Sequence, residues 1–235
     1  MDYLALDIET TGLSPEKDRI IEIGAVKYRD GKQEDSFSCL IQNIQPLPWR
    51  IVELTGITDE MLAGGRKEEE AILAFLEFAE DMPVLLGHNI LFDYSFLKVT
   101  ALRHGKGFER SALDTLQFSR ILHPELSSRS LAAMCSYYGI QQEHAHRAVE
   151  DAISAHRLYE CLQQKFPQFD GFRPTPLCYK EKKREPITPK QKKYLIDLLK
   201  YHKIEFTQDM EQLSKSEASR TIDKIILEKG RIINR

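Results

Sequence analysis

LALDIETTGLSP, residues 4–15, sets an apolar face against an acidic one. Leu4, Leu6 and Ile8 alternate as the buried side of a strand, while Asp7 and Glu9 share the opposite side and a Thr10-Thr11-Gly12 turn follows. Side chains two apart on a strand lie about 7 Å from one another. Two carboxylates at that spacing repel unless something positive lies between them. A solvent-facing sheet edge would also tolerate them. The apolar opening Tyr3-Leu4-Ala5-Leu6 instead favours a central strand, and therefore a site.

Further along the chain, residues 19–28 (RIIEIGAVKY) form a second strand candidate. Asp30-Gly31 supplies the positive φ angles of a tight hairpin, so residues 34–42 should return antiparallel. EEEAILAFLEFAED carries acids in its first turn and apolar residues at helical spacing, which predicts an amphipathic helix. PVLLGHN reads as a short buried parallel strand, and helices are expected over about 92–104, 113–122, 130–138 and 147–165. A meander followed by alternating strand and helix makes a mixed α/β sheet flanked by helices. After Phe169 four prolines and a basic run mark a linker, residues 171–187, between a domain over 1–170 and a small helical basic module over 188–235. Thr188-Pro189-Lys190-Gln191 and Ser214 with Glu217 are capping boxes for two helices of that module.

The net charge of −3 conceals a division. Residues 1–170 hold 17 basic and 27 acidic side chains, whereas residues 171–235 hold 16 and 9. The basic tail suits a polyanion or an acidic partner, or is a solvated appendage kept soluble by its lysines. Lys182, Lys183, Lys190, Lys192 and Lys193 are the candidate nucleic-acid contacts. No run of about 18 apolar residues occurs, which excludes a membrane-spanning helix. The chain opens almost directly on a strand without a signal-peptide pattern. Cys39, Cys135, Cys161 and Cys178 are scattered and read as buried thiols, so the expected home is a reducing cytoplasm.

Two more stretches bring acids. GHNILFD, residues 87–93, leaves an apolar strand and ends on Asp93 at a helix start, where an acid is also favoured by the helix dipole. HRAVED, residues 146–151, opens a long helix with His146 and Asp151; alone, these read equally as a cap or surface histidine and a solvated acid. Together, four carboxylates and a histidine are what two hard divalent cations and a proton acceptor require. DIETTG, HNILFD and HRAVED also stand in the order and spacing of the DEDDh exonucleases, the DnaQ-like or proofreading ε-subunit type, and the resemblance covers roughly residues 2–165.

The resemblance implies an RNase H-like fold with a five-stranded mixed sheet. It implies that Asp7, Glu9, Asp93 and Asp151 bind two Mg²⁺ ions, with Mn²⁺ able to substitute, and that His146 is the general base. Histidine five residues before the last Asp matches the histidine branch, since Arg147 stands where the tyrosine branch has its Tyr. The implied reaction is metal-dependent 3′–5′ exonucleolytic hydrolysis of nucleic acid to nucleoside 5′-monophosphates, in repair, processing or proofreading. The implied substrate is a free 3′ end, single-stranded DNA foremost, and a DNA polymerase or another replication or repair protein is the implied partner. Thr11, Gly12 and Leu13 would contact the terminal nucleotide, though Leu13 equally suits core packing; Phe92 would stack on a base or fill the core. Leu91 is bulkier than the residue often found in that motif, and Asp114 resembles a structural position. An exoribonuclease trimming RNA, or a non-catalytic module binding nucleic acid or a polymerase, are the alternatives.

Overall fold

The computed structural model describes residues 1–142, 147–179, 186–206, 209–210 and 213–231. It separates into two compact units, Met1–Tyr179 and Lys180–Arg235. The first is built on a six-stranded sheet: β1 (Tyr3–Thr10), β2 (Ile20–Arg29), β3 (Lys32–Leu40), β4 (Val84–Gly87), β5 (Ser111–Asp114) and β6 (Thr175–Pro176). Their order is β3-β2-β1-β4-β5-β6. The β1–β2, β2–β3 and β5–β6 pairs are antiparallel, and β1–β4 and β4–β5 are parallel.

The β2–β3 hairpin turns at Asp30 (φ 49°) and Gly31 (φ 74°), two successive left-handed residues whose twist matches that of the strands. β1 is central and covered on both faces. Leu4, Leu6 and Ile8 join a core with α3 (Glu68–Phe78) and α4 (Ile90–Arg103); Tyr3 and Ala5 join a second with α5 (Thr115–Leu122), α6 (Leu131–Tyr138) and α7 (Ala148–Lys165). An apolar strand is tolerated there because helices cover both its faces, leaving only Asp7 part-exposed toward its carboxyl end.

Four departures from the sequence reading have local causes. The sheet has six strands because Thr175–Pro176, inside the stretch read as linker, pairs with Ala112 and Ser111 at the rim. The helix expected over 113–122 begins at Thr115: Ser111–Asp114 is a strand, and the Asp114 carboxylate then caps α5 by accepting from the backbone N–H groups of Leu116 and Gln117. Two short helices, α1 (Trp49–Thr55) and α2 (Asp59–Ala63), occupy a region whose period is too brief to read. Cys39 and Cys135 are buried as expected, but Cys161 is half-buried and Cys178, just beyond the rim strand, is exposed; all four are free thiols.

The second unit pairs α8 (Pro189–His202) with α9 (Lys215–Lys229). Both expected capping boxes form, with Thr188 and Gln191 closing one and Ser214 and Glu217 the other. Leu195, Leu198, Leu199, Leu213, Ala218, Ile222 and Ile225 make its own small core. Among the described residues, no helix is long and apolar enough to cross a membrane.

Candidate active site

The strands β1 and β4 are parallel, so their carboxyl ends point to the same edge of the sheet, with β1 running on to Thr10 beyond its pairing with β4. Open α/β sheets bind ligands at such carboxyl ends. β1 brings Asp7 and Glu9 there. After β4, the left-handed backbone at Asn89 (φ 73°) turns the chain into α4; the Asn89 N–H is held by the Asp114 carboxylate at 3.0 Å. That turn puts Asp93 in the first turn of α4, buried, with its Oδ1 accepting the Ile8 N–H at 3.0 Å. Asp93 is thereby fastened to the backbone between the two β1 acids.

Asp151 arrives from α7, and its approach depends on an absent side chain. Gly24 lies opposite Asp7 in the β1–β2 ladder, and a Cβ there would stand 2.1 Å from the Val149 nitrogen. Glycine lets the start of α7 lie directly on β2. One carboxylate oxygen from each of Asp7, Glu9 and Asp151 then falls within 4.8 Å of the others. These acids and Asp93 line a recess of about 230 Å³ with Ile8, His88, Asn89, Phe92 and Leu131.

The electrostatics of the recess suit a cation. Burial, with the charges of Asp93, Asp151 and Glu9, pushes the Asp7 carboxyl well above the usual carboxylate range. Burial, then Asp151, Glu22 and Asp93, raises Glu9 to about 8, against the opposing charge of Arg147. Burial also raises Asp93, although its backbone hydrogen bonds favour the charged form. Acids so placed repel one another, and a positive ion among them relieves that repulsion. Oxygen donors alone are the donor set of a hard divalent ion, so these residues fit a metal, with Asp7, Glu9 and Asp151 as the clustered ligands.

His146 lies outside the described residues, as do Lys182 and Lys183. The Thr11 hydroxyl accepts the Arg19 N–H at 2.9 Å, so it is engaged in shaping the turn. Gly12 has a reason other than nucleotide access: a Cβ there would stand 2.5 Å from the Asp18 carboxylate, which itself accepts the Ser14 N–H. Leu13 is 86 % exposed and packs into no core, which removes that reading. Phe92 is half-buried, packs on Phe96 with ring centroids 5.0 Å apart, and lines the recess. Leu91 is exposed beside it. In the second unit, Lys190 and Lys193 are exposed on α8 and Lys192 is half-buried.

The sequence reading passed over His88 and Asn89, although both stand in the quoted GHNILFD stretch. His88 lines the recess, but both ring nitrogens are committed: Nε2 donates to the Arg129 carbonyl at 2.8 Å, and Nδ1 is 2.9 Å from the Thr115 hydroxyl. Burial also holds its pKa below the ordinary value. It braces the wall and is a poor proton acceptor.

Residues 4–159 match the family model described as Exonuclease, RNase T. The chain belongs to this exonuclease family. The matched span contains every acid of the recess, and the DEDDh, DnaQ-like arrangement of acids places the chain among the exonucleases of that type. A PolC-type DNA polymerase III of Clostridium perfringens is 41 % identical over 151 residues, 64 % of this chain and 10 % of that protein. The chain thus spans about a tenth of the length of the curated relatives it matches. Among solved structures, exonuclease X in complex with 5′-overhanging duplex DNA superposes with a TM-score of 0.57 at 22 % identity, over 73 % of this chain and 95 % of that one. Exonuclease I gives a TM-score of 0.64 at 19 % identity over 71 % and 42 %. At these identities the two structures bear on the fold of the exonuclease unit.

Proposed function

We propose that this exonuclease-family chain is a divalent-metal-dependent 3′–5′ exonuclease that hydrolyses DNA to nucleoside 5′-monophosphates. The observation that carries the reading is the convergence of Asp7, Glu9 and Asp151 oxygens within 4.8 Å, at the mouth of a recess, in a member of an exonuclease family. The complex of exonuclease X with duplex DNA, at low identity, supports DNA as the first substrate to test.

Asp7, Glu9 and Asp151 would hold one Mg²⁺ or Mn²⁺, and Asp93 with Asp7 a second. Ions bound there supply positive charge against phosphodiester oxygens and lower the pKa of water. The chain's own part is placement. The Ile8 N–H fixes Asp93, and β1 fixes Asp7 and Glu9, so the acids need no rearrangement to receive charge. His146 is assigned the proton of the attacking water, because the buried carboxylates are committed to cations and His88 is committed to the wall. Leu13, exposed on the turn that follows Glu9, is assigned to the terminal nucleotide with Thr11 and Gly12, and Phe92 to the recess wall beneath it.

The basic unit, with Lys190, Lys192 and Lys193 on α8 and Lys182 and Lys183 before it, is assigned to phosphate contacts outside the catalytic recess. Its boundaries are taken as a module over 188–235 joined through residues 171–187, a stretch whose Thr175–Pro176 pairs with the sheet of the first unit. Likeness to a segment of PolC-type polymerases supports work beside a polymerase or repair partner. Four free thiols support a reducing, cytoplasmic setting.

The test is product analysis on 5′- and 3′-labelled single-stranded DNA, duplex DNA and RNA, with Mg²⁺, Mn²⁺ or EDTA. Stepwise loss of 3′ mononucleotides from DNA that EDTA abolishes is expected. Cleavage that survives EDTA, or proceeds from the 5′ end, would overturn the reading; faster loss from RNA would reassign the substrate.

A further inference from the structure

We infer that Glu22, Arg147 and Gln142 are positioning residues that fix Asp151 against Asp7 and Glu9 and so set the geometry of the cation site; the inference rests on the metal-site reading above.

Glu22 lies on β2 directly opposite Glu9 and is 1 % exposed. Its carboxylate receives both nitrogens of one edge of the Arg147 guanidinium, Nη2 at 2.8 Å and Nε at 3.1 Å from Oε1, and the Ala148 N–H at 3.2 Å on Oε2. Ala148 is the first residue of α7, whose N-cap position holds Arg147, a side chain with no acceptor to offer. Helix starts leave backbone donors without partners, normally met by a nearby Ser, Thr or Asp. Here the cap comes from a strand 126 residues earlier.

The anchor transmits directly to the site. The Asp151 N–H donates to the Arg147 carbonyl at 3.0 Å, so Asp151 is one helical turn from the clamped residue. Sliding or turning that first turn moves the Asp151 carboxylate relative to β1. From the other side, Gln142 Nε2 donates to Asp151 Oδ1 at 3.2 Å. Asp151, the clustered ligand that does not come from β1, is therefore gripped at its backbone and at its carboxylate.

Charge gives the pair a second reason. A buried Glu22 carboxylate beside Glu9 adds to the repulsion within the recess, and the Arg147 guanidinium offsets it. Only Glu22 is buried, since the Arg147 side chain is 41 % exposed, and stability alone is a weak reason to bury that carboxylate, because its desolvation offsets much of the attraction. Geometry that must be held for a ligand is a better one.

The experiment is calorimetric titration of Mn²⁺ into the full chain, well below its melting temperature, for wild type, Glu22→Gln, Arg147→Lys and Gln142→Leu. Glu22→Gln keeps the shape and removes the charge; Arg147→Lys keeps the charge and removes the fork. Each is expected to weaken Mn²⁺ by about 10–100-fold, as loss of groups that orient metal ligands does. In steady state, kcat should fall with them while KM for a short oligonucleotide changes little. Variants that melt earlier yet bind Mn²⁺ within roughly twofold of wild type would overturn the inference and leave an ordinary structural ion pair. If the Glu22 and Arg147 variants fail to fold, Gln142→Leu decides, because it lies outside the sheet and still touches Asp151. Absence of Mn²⁺ binding by wild type would instead sink the metal-site reading beneath it.

Discussion

Removing one charge from the recess should make the metal-free protein more stable, by an amount that grows with pH. Glu9→Gln is the cleanest perturbation, since the amide copies the carboxyl's shape. The folded state holds the Glu9 proton until about 8, whereas the ordinary value is 4.5. Between those limits the folded chain binds more protons than the unfolded chain, so the wild type loses stability as pH rises. The penalty is absent below 4.5 and complete above about 8. At about 1.4 kcal/mol per unit the ceiling is ~5 kcal/mol, and water entering the recess should bring the measured gap to about 1–3 kcal/mol. For a chain of this size, each kcal/mol moves the melting temperature by about 2–4 °C. The assay is thermal unfolding of both proteins in EDTA from pH 5 to 9. His156, lowered to about 4 by burial, and His88 titrate with the opposite sign in the acid range, but they are common to both proteins and cancel in the difference. Adding Mn²⁺ should reverse the order, because the wild type gains more from binding. A gap that is flat across pH, or a wild type that is the more stable protein in EDTA at pH 8, would show that the acids of the recess do not strain one another.

Asp7→Ala and Asp151→Ala should abolish hydrolysis while the chain stays folded, checked by circular dichroism beside a nuclease assay. His146→Ala should slow turnover by about 10²–10⁴-fold with Mn²⁺ affinity retained; lost binding in calorimetry would make it a ligand. Gly24→Ala drives a methyl into the Val149 nitrogen and should cost about 1–3 kcal/mol in denaturant unfolding. Replacing Lys190, Lys192 and Lys193 together by Ala should reduce the slope of log affinity for single-stranded DNA against log salt by about 2, with cleavage of a very short oligonucleotide unchanged.

Much of the molecule is legible in local pattern. The alternation of residues 3–10 specifies β1 and which side chains share a face, because a one-residue slip would exchange Leu4, Leu6 and Ile8 with Tyr3, Ala5 and the two acids between the two cores. Asp30-Gly31 specifies the hairpin, and the two capping boxes specify the starts of α8 and α9, because each signal is completed within four residues. The acids are legible in the same way, each at the end of a strand or the start of a helix, and their common purpose follows from their donor chemistry together with family likeness.

What local pattern lacks is any sign of what meets at a distance. Glu22 reads as one more polar residue in a strand until Arg147 arrives over it, and Gly24 as a weak point until α7 lies on it. Asp114 serves Asn89 and the start of α5 at once, which no single-segment period encodes. Leu13 could be core or surface until the turn is closed by Asp18 and Arg19. Hydrophobic period and turn chemistry act over a few residues and survive in any context; burial, charge pairing and the pKa of an acid are properties of the assembled neighbourhood and exist only once distant segments share it.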